Sequence, residues 1–426
     1  MALGLFKKNN FADIIFTGGT IYTQDPNFPI ATAIAVKNGT IIDVCNKEDI
    51  STLQDRNTEF FDLEGKFLIP GLIEANDSPI LDAIDEDVCL VITPYSDKDE
   101  IINQVSSYFD EFSDLESYFG YGYDSSITEN LSQKESAKEL DSVSKEYPII
   151  LLSNDSSSLW INTVALDIVE NAANEDEIES ISLSYMLSVL TPIEEKALTE
   201  STTTVIDALA CEGYTSVFSN NVPDYLTDLY QDVNLALMSE NLPKQRLYTS
   251  MHISNTISLE YIAYKLQQNK TTCIELNGLM DTSLLTVTLT ENNIDQKYLE
   301  SAMNVAAERG FGIMLRAEDT KSLDMARNTL TSFRHHYKRT FISICHGEIN
   351  RPTVTELCEE FPLYSDHSGA RAEIDERTII AADKLGLSHL IGSIKPGKLA
   401  DFAIFNEDPF KFTPKKMPSY PKRFLQ

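Results

Sequence analysis

Short apolar runs broken by tight polar turns fill the first 70 residues. "ADIIFTGGTIYT" is interrupted by Gly18-Gly19, "TAIAVKNGTIIDVC" by Asn38-Gly39 and "FFDLEGKFLIPG" by Glu64-Gly65. Glycine at such a break supplies the positive φ that two-residue hairpin turns require. The pattern predicts three successive hairpins, hence an antiparallel β module. From about residue 70 to 390 the period changes to helices alternating with short apolar strands. "KDEIINQVSSYFDEF" places Ile101, Ile102, Val105, Tyr108 and Phe109 at helical spacing. "YPIILLSND" predicts a buried strand, and "LWINTVALDIVENA" the helix that follows it. "TTTVIDALACEGYTSVFSN" reads as helix, Gly turn and strand; "DLYQDVNLALMSENL" and "RLYTSMHI" repeat the helix and the strand. "KYLESAMNVAAERGFGIMLRAED" is a helix capped at Gly310 and then a strand, and "RTFISICHGE" predicts one strand more.

Repeated strand–helix units point to an α/β fold with a parallel sheet, and at this length to a (β/α)8 TIM-like barrel. Near the C-terminus "IGSIKPGKLADFAIFNEDPF" reverts to turn, Pro-Gly and an alternating strand. The expected division is a composite β-sandwich domain from residues 1–69 and 391–426, flanking a barrel over residues 70–390.

Composition narrows the classes of partner. The chain has 426 residues, and 66 acidic against 34 basic side chains give it a net charge of −32. Such a surface repels phosphate backbones and anionic lipids, so neither nucleic acid nor membrane is expected as a partner. The acidic runs "DAIDED" and "NEDEIES" read as solvated helix ends or loops. Six cysteines without a C-x-x-C pair predict reduced, mostly buried thiols rather than disulfides or structural zinc. No signal peptide and no apolar run of membrane-spanning length is present, so a cytoplasmic protein is expected. The last residues, "KFTPKKMPSYPKRFLQ", form a basic, Pro-containing tail. No P-loop, dinucleotide fingerprint, G-x-S-x-G elbow or internal repeat occurs.

Taken together, "ADIIFTGGTIYTQDP", "AIAVKNGTIIDV", "FFDLEGKFLIPGLIEA" and "GSIKPGKLADFAIFNEDPF" resemble the amidohydrolase superfamily. "GYGYD", "LDSVSKEYPIILLSNDSSSLWINTVAL" and "EGYTSV" are similar, in order, to its YtcJ-like branch. The resemblance covers nearly the whole chain. It implies a metal-dependent barrel beside a β-sandwich built from both termini, and hydrolysis of carbon–nitrogen bonds other than peptide bonds.

The same resemblance locates the ligand positions. In the superfamily a His-x-His pair ends the first barrel strand, because residues i and i+2 of a strand project to one side and can converge on a metal. Here "PGLIEANDS" keeps the motif through Glu74 and then offers Asn76, Asp77 and Ser78; neither Asn76 nor Ser78 replaces an imidazole as a transition-metal ligand. Arg316 in "LRAEDTKSLD" falls where the family has a histidine. Ser157 precedes Trp160 where the branch has another, and "TCIELNG" offers Cys273 and Glu275 in place of a lysine. His346 in "FISICHGE" alone falls on a family histidine, and Asp366 in "LYSDHSG" is the candidate for the catalytic Asp. Trp160, the single tryptophan, is a candidate either for packing or for stacking on a substrate.

Two observations need no family. All six histidines lie in the second half, and no His-x-His occurs. Only 45 residues separate His346 from Gly392, whereas two further strand–helix units require roughly 62. The C-terminal strands of the barrel are therefore expected to be truncated. Glu74, Asn76, Asp77, Ser78, Trp160, Arg316 and His346 form the expected pocket set.

Three functional readings follow. One is a metal-free homologue, weakly active or inactive, that binds a small molecule. Another is a hydrolase with a single divalent zinc, iron or manganese held by His346, Asp366 and either Asp77 or Glu74. The third is a non-enzymatic scaffold that dimerises through its β-sandwich.

Overall fold

A computed structural model describes residues 11–75, 83–84, 88–113, 115–154, 158–172, 183–222, 227–239, 245–253, 258–275, 280–289, 296–317, 320–336, 342–346 and 370–411. The acidic runs, apart from a few residues, and the basic tail beyond Lys411 lie outside this set.

The chain opens with β1 (Ile14–Tyr22), β2 (Ile30–Lys37), β3 (Thr40–Cys45), β4 (Glu59–Asp62) and β5 (Phe67–Pro70). β2 and β3 form the expected hairpin, with Asn38 and Gly39 both at positive φ in the turn. The other two expected hairpins are corrected. β1 is one long strand with a register shift between Thr17 and Ile21, and Gly18-Gly19 marks the irregularity rather than a reversal. β4 and β5 both run parallel to β1, β4 against its first half and β5 against its second, so the Glu64-Gly65 turn does not fold them onto each other.

That turn sits against the irregularity instead: Gly65 N–H donates to Gly18 O at 2.7 Å and Thr20 N–H to Lys66 O at 3.0 Å. The approach is too close for side chains. A Cβ on Gly19 would lie 2.3 Å from the Lys66 carbonyl oxygen and 2.7 Å from Leu63 Cβ. Glycine is here a matter of contact, which local turn statistics do not register.

β6 (Leu72–Glu74) starts a second sheet. Before this sheet continues, the chain makes a separate one from β7 (Leu90–Val91), β8 (Tyr118–Tyr123), β9 (Ile149–Ser153) and β10 (Leu159–Ile161). Helices α1 (Lys98–Glu111), α2 (Gln133–Leu140) and α3 (Thr163–Ala172) belong to this insertion. α1 begins as its sequence dictates: Asp97 accepts from Glu100 N–H while the Glu100 carboxylate accepts from Asp97 N–H, a capping box. "LWINTVAL" is not all helix, because Leu159–Ile161 pairs antiparallel with β9 before α3 begins.

After α4 (Leu183–Leu190) and α5 (Glu195–Cys211) the second sheet resumes with β11 (Tyr214–Val222), β12 (Arg246–Ile253), β13 (Met280–Leu289), β14 (Gly312–Ala317) and β15 (Ile342–His346). Helices α6 (Thr227–Ser239), α7 (Leu259–Glu275), α8 (Gln296–Glu308) and α9 (Thr320–His336) connect them. All pairs are parallel, in the order β15-β14-β13-β12-β11-β6. "TCIELNG", read as a strand, places Cys273 and Glu275 at the end of α7, so neither stands at a strand position.

Alternation divides this sheet into two faces. Met251, Ile253, Leu285, Val287, Leu289, Ile313 and Leu315 pack with Ile262, Leu266, Leu299 and Met303 of the connecting helices. On the other face Ile73, Phe218, Tyr248, Leu284 and Met314 cluster with Ala381, Ala382, Leu385 and Leu387. These last residues come from a C-terminal helical segment made of α10 (Ala370–Asp375), a π-helical stretch (Glu376–Ile380) and α11 (Ala381–Lys384). The segment touches both β6 and β15, the two outer strands. Among the described residues the chain between β15 and its last strand supplies this helical segment; residues 347–369 lie outside the described set. The parallel sheet has six described strands where eight would close a barrel.

The last strand, β16 (Phe402–Phe405), pairs antiparallel with β5 of the first sheet. Just before it, Asp401 joins two sheets. Its carboxylate accepts from Arg246 Nε at 2.7 Å and Nη2 at 3.0 Å, and its carbonyl accepts from Gly71 N–H at 2.9 Å. Burial works against the Arg246 charge, and Asp401, with a smaller contribution from Tyr248, more than offsets it. Of the described thiols, Cys89 is buried, Cys45 half-buried and Cys211, at the end of α5, exposed.

Two stability measurements test this account. Gly19→Ala should destabilise by about 2–3 kcal/mol through the forced backbone shift. Gly39→Ala, with nothing within 4 Å of its Cβ, should cost only the left-handed-backbone penalty of ~1 kcal/mol; urea unfolding of both variants separates contact from conformation. Asp401→Ala should cost about 3 kcal/mol by stranding a mostly buried guanidinium, and a double-mutant cycle with Arg246→Met should recover much of that loss.

Candidate functional site

In a parallel sheet all carboxyl ends lie on one edge, and that edge is where α/β folds place ligands. Register assigns each strand residue to a face. On β12 the residues Tyr248, Ser250 and His252 alternate with the helix-packed Met251 and Ile253. His252 is the partner of Thr286 on β13, which is the partner of Met314 on β14. One residue pair further along comes the row Thr288, Arg316 and Cys345. These positions share the face of Leu284 and Met314, away from the connecting helices.

The described side chains here are hydroxylic. Ser250 and Thr286 are buried, and Thr286 Oγ1 donates to Ser250 Oγ at 2.7 Å. His252 is half-buried beside this row; Thr249, on the alternate face of β12, donates from Oγ1 to Ser219 O at 3.3 Å. The face thus carries hydroxyls, one imidazole and the backbone position of one arginine.

The expected pocket set is not brought together as a whole. Arg316 takes the row just described. His346 takes the next row with Ala317 and Leu289, both of which belong to the helix-covered side. Motif spacing alone would have put the two on one site. Glu74 is the partner of Val217, whose own partner is Leu247, and both pack on the side opposite Phe218 and Tyr248.

Beside Glu74 stands a different polar group. The Arg377 guanidinium donates to the Tyr214 hydroxyl, lies over the Tyr214 ring and pairs with Glu373 at 3.0 Å. Burial first, and then the Glu74 charge, hold the Tyr214 hydroxyl well above the ordinary phenol value, while Arg377 pulls it down. Asn76, Asp77, Ser78 and Asp366 lie outside the described residues, as does Ser157.

Trp160 is elsewhere. It stands on β10 of the inserted sheet, fully buried, with Nε1–H donating to Ser136 O at 2.8 Å and the Tyr123 ring edge-on at 5.8 Å. Of its two readings the structure takes packing: an indole satisfied by a backbone carbonyl and closed off from solvent stacks on no substrate.

His252 was passed over in the sequence. The signal was there in "RLYTSMHI", where Leu247, Met251 and Ile253 alternate with Tyr248, Ser250 and His252, one apolar and one mixed face.

A transition-metal site needs three or four imidazole, carboxylate or thiolate donors. Among the described residues no three of His, Cys, Asp and Glu are grouped to hold a metal. On the face described, the hydroxyls of Ser250 and Thr286 are bonded to each other.

Comparisons with known proteins agree on the fold. No family model matches the chain. An uncharacterized metal-dependent hydrolase from Pyrococcus horikoshii OT3 superposes with a TM-score of 0.59 over 94% of this chain and 98% of that one, at 12% identity. Another, from Pyrococcus furiosus, gives 0.52 over 93% and 100%, at 13% identity. At these identities the likeness is one of fold.

Two curated proteins match in sequence. The exoenzymes regulatory protein AepA of Pectobacterium carotovorum subsp. carotovorum is 27% identical over 176 residues, 41% of this chain and 38% of that protein. Protein LONG AFTER FAR-RED 3 of Arabidopsis thaliana is 27% identical over 157 residues, 37% and 26% of the two lengths. The matched part therefore spans well under half of either relative. No described helix is long and apolar enough to cross a membrane.

The burial of Trp160 gives a direct optical check. Its emission should be blue-shifted and resist iodide quenching until the chain unfolds. Emission near that of free indole, or ready quenching of the native protein, would overturn its placement. The chain carries the fold of metal-dependent hydrolases.

Proposed function

We propose that this chain is an amidohydrolase-superfamily protein of the YtcJ-like branch that keeps the hydrolase scaffold without its metal centre. In this reading residues 1–69 and 391–426 are the composite β domain, residues 70–390 are a barrel shortened at its C-terminal end, and the protein binds a small molecule with little or no hydrolysis of carbon–nitrogen bonds.

The observation that carries it is the edge of the parallel sheet. There Ser250 and Thr286 are hydrogen-bonded to each other, with half-buried His252 beside them, and in the sequence Arg316 falls where the resemblance expects a histidine. The sequence adds Asn76 and Ser78 in place of the histidine pair. Hydroxyls and a guanidinium recognise an anion or a polar organic group; they do not lower the pKa of water as a bound metal does. The name of one sequence relative, a regulatory protein, favours a role in binding over one in catalysis. The net charge of −32 argues against nucleic-acid and membrane partners, and a small ligand and self-association into a homodimer are proposed instead, in a cytoplasmic protein.

Metal analysis of the full chain purified without chelator tests the proposal. Zinc, iron and manganese should each be far below one atom per chain, and His346→Ala should leave that content unchanged. Stoichiometric metal that disappears in His346→Ala would replace this reading with that of a mononuclear hydrolase.

A further inference from the structure

We propose that the inserted sheet carries a binding cleft of its own, for a small neutral aliphatic amide, at the carboxyl ends of β8 and β9. β7, β8 and β9 are parallel, so their carboxyl ends share one edge. A cleft of about 250 Å³ opens there. Thr128 comes from the segment after β8 and Ser158 from the segment after β9.

The base of the cleft is hydroxylic. Tyr123 OH donates to Ser158 Oγ at 3.0 Å, and Thr128 Oγ1 lies 3.3 Å from Ser158 Oγ and 3.4 Å from the Ser125 carbonyl oxygen, to which it donates. A hydroxyl has one proton and two lone pairs. With Ser158 Oγ accepting from Tyr123, its own proton is directed to Thr128 or to an acceptor in the cleft. A ligand carbonyl supplies that acceptor.

The wall is aliphatic, from Leu159, Leu183 and Met186. On the rim stands exposed Gln133, whose Nε2 faces Met186 Sδ at 3.8 Å. Its Oε1 is the acceptor for a ligand N–H. No charged side chain lines the cleft among the described residues, so these residues offer an ion no counter-charge for the water it would lose. A carbonyl acceptor, an N–H donor, a short apolar body and no charge together describe a small amide. The volume, below the ~300 Å³ at which ordinary ligand sites begin, keeps the ligand small. None of this depends on whether the parallel sheet holds a metal.

Saturation-transfer NMR on the full chain tests the proposal, with isobutyramide as the probe and isobutyrate and isobutylamine as its charged counterparts. Isobutyramide should show transfer at millimolar concentration and the two ions should not. Ser158→Ala should weaken amide binding about fivefold, the worth of one neutral hydrogen bond. Gln133→Leu, at an exposed position, should weaken it similarly with an unchanged unfolding midpoint, so the test stands even if the serine variant folds poorly. No transfer to isobutyramide, equal binding of amide and acid, or wild-type affinity in Gln133→Leu would overturn the proposal.

Discussion

The bidentate pair between Arg246 and Asp401 holds together parts of the chain that are far apart in sequence. Arg246 opens β12 of the parallel sheet, and Asp401 precedes the strand that returns to β5 of the first sheet. The carbonyl of Asp401 also receives the Gly71 N–H at the passage from β5 to β6. One residue thus fixes where the first sheet ends, where the second begins and where the C-terminal strand docks. The pair is largely withdrawn from water, with side chains about one fifth exposed. Either partner alone would be a buried charge without compensation, so the joint is specific as well as strong.

With that joint in place, the C-terminal helical segment has a defined station. Ala381, Ala382, Leu385 and Leu387 are small or aliphatic and fit against the sheet face that bears Ile73, Phe218, Tyr248, Leu284 and Met314. The segment reaches both outer strands of the parallel sheet. Gln24 of the first sheet's side of the molecule donates to Asp375 at 2.7 Å, a second tie between chain ends. The same face of the parallel sheet carries Ser250, His252 and Thr286.

The inserted sheet follows a different economy. Trp160 and Tyr123 share its core, and the hydroxyl of Tyr123 reaches out of that core to Ser158. The residues that stabilise this sheet therefore also orient the polar base of its cleft. The parallel sheet separates these duties: Leu285, Val287 and Leu289 pack against helices, and the alternate residues of the same strand face the other way.

The sequence by itself determined the alternation of strands and helices, the Asn38-Gly39 hairpin, the capping box of α1, the return of the chain end to the N-terminal sheet, and a span after His346 too short for two strand–helix units. These are local or additive properties, set by period, turn chemistry and chain length. Tertiary structure decided the rest. That Gly18-Gly19 is a contact point and not a reversal depends on the Leu63–Lys66 turn arriving beside it. That Cys273 and Glu275 end a helix, that Leu159–Ile161 is a strand, and that Trp160 is core depends on which neighbours cover them. That Arg316 and His346 occupy adjacent rows with opposite faces depends on register, and a shift of one residue reverses every side chain of a strand. Motif spacing along a chain specifies which residues come to a strand end; only the pairing of that strand with its neighbours specifies the side to which they turn.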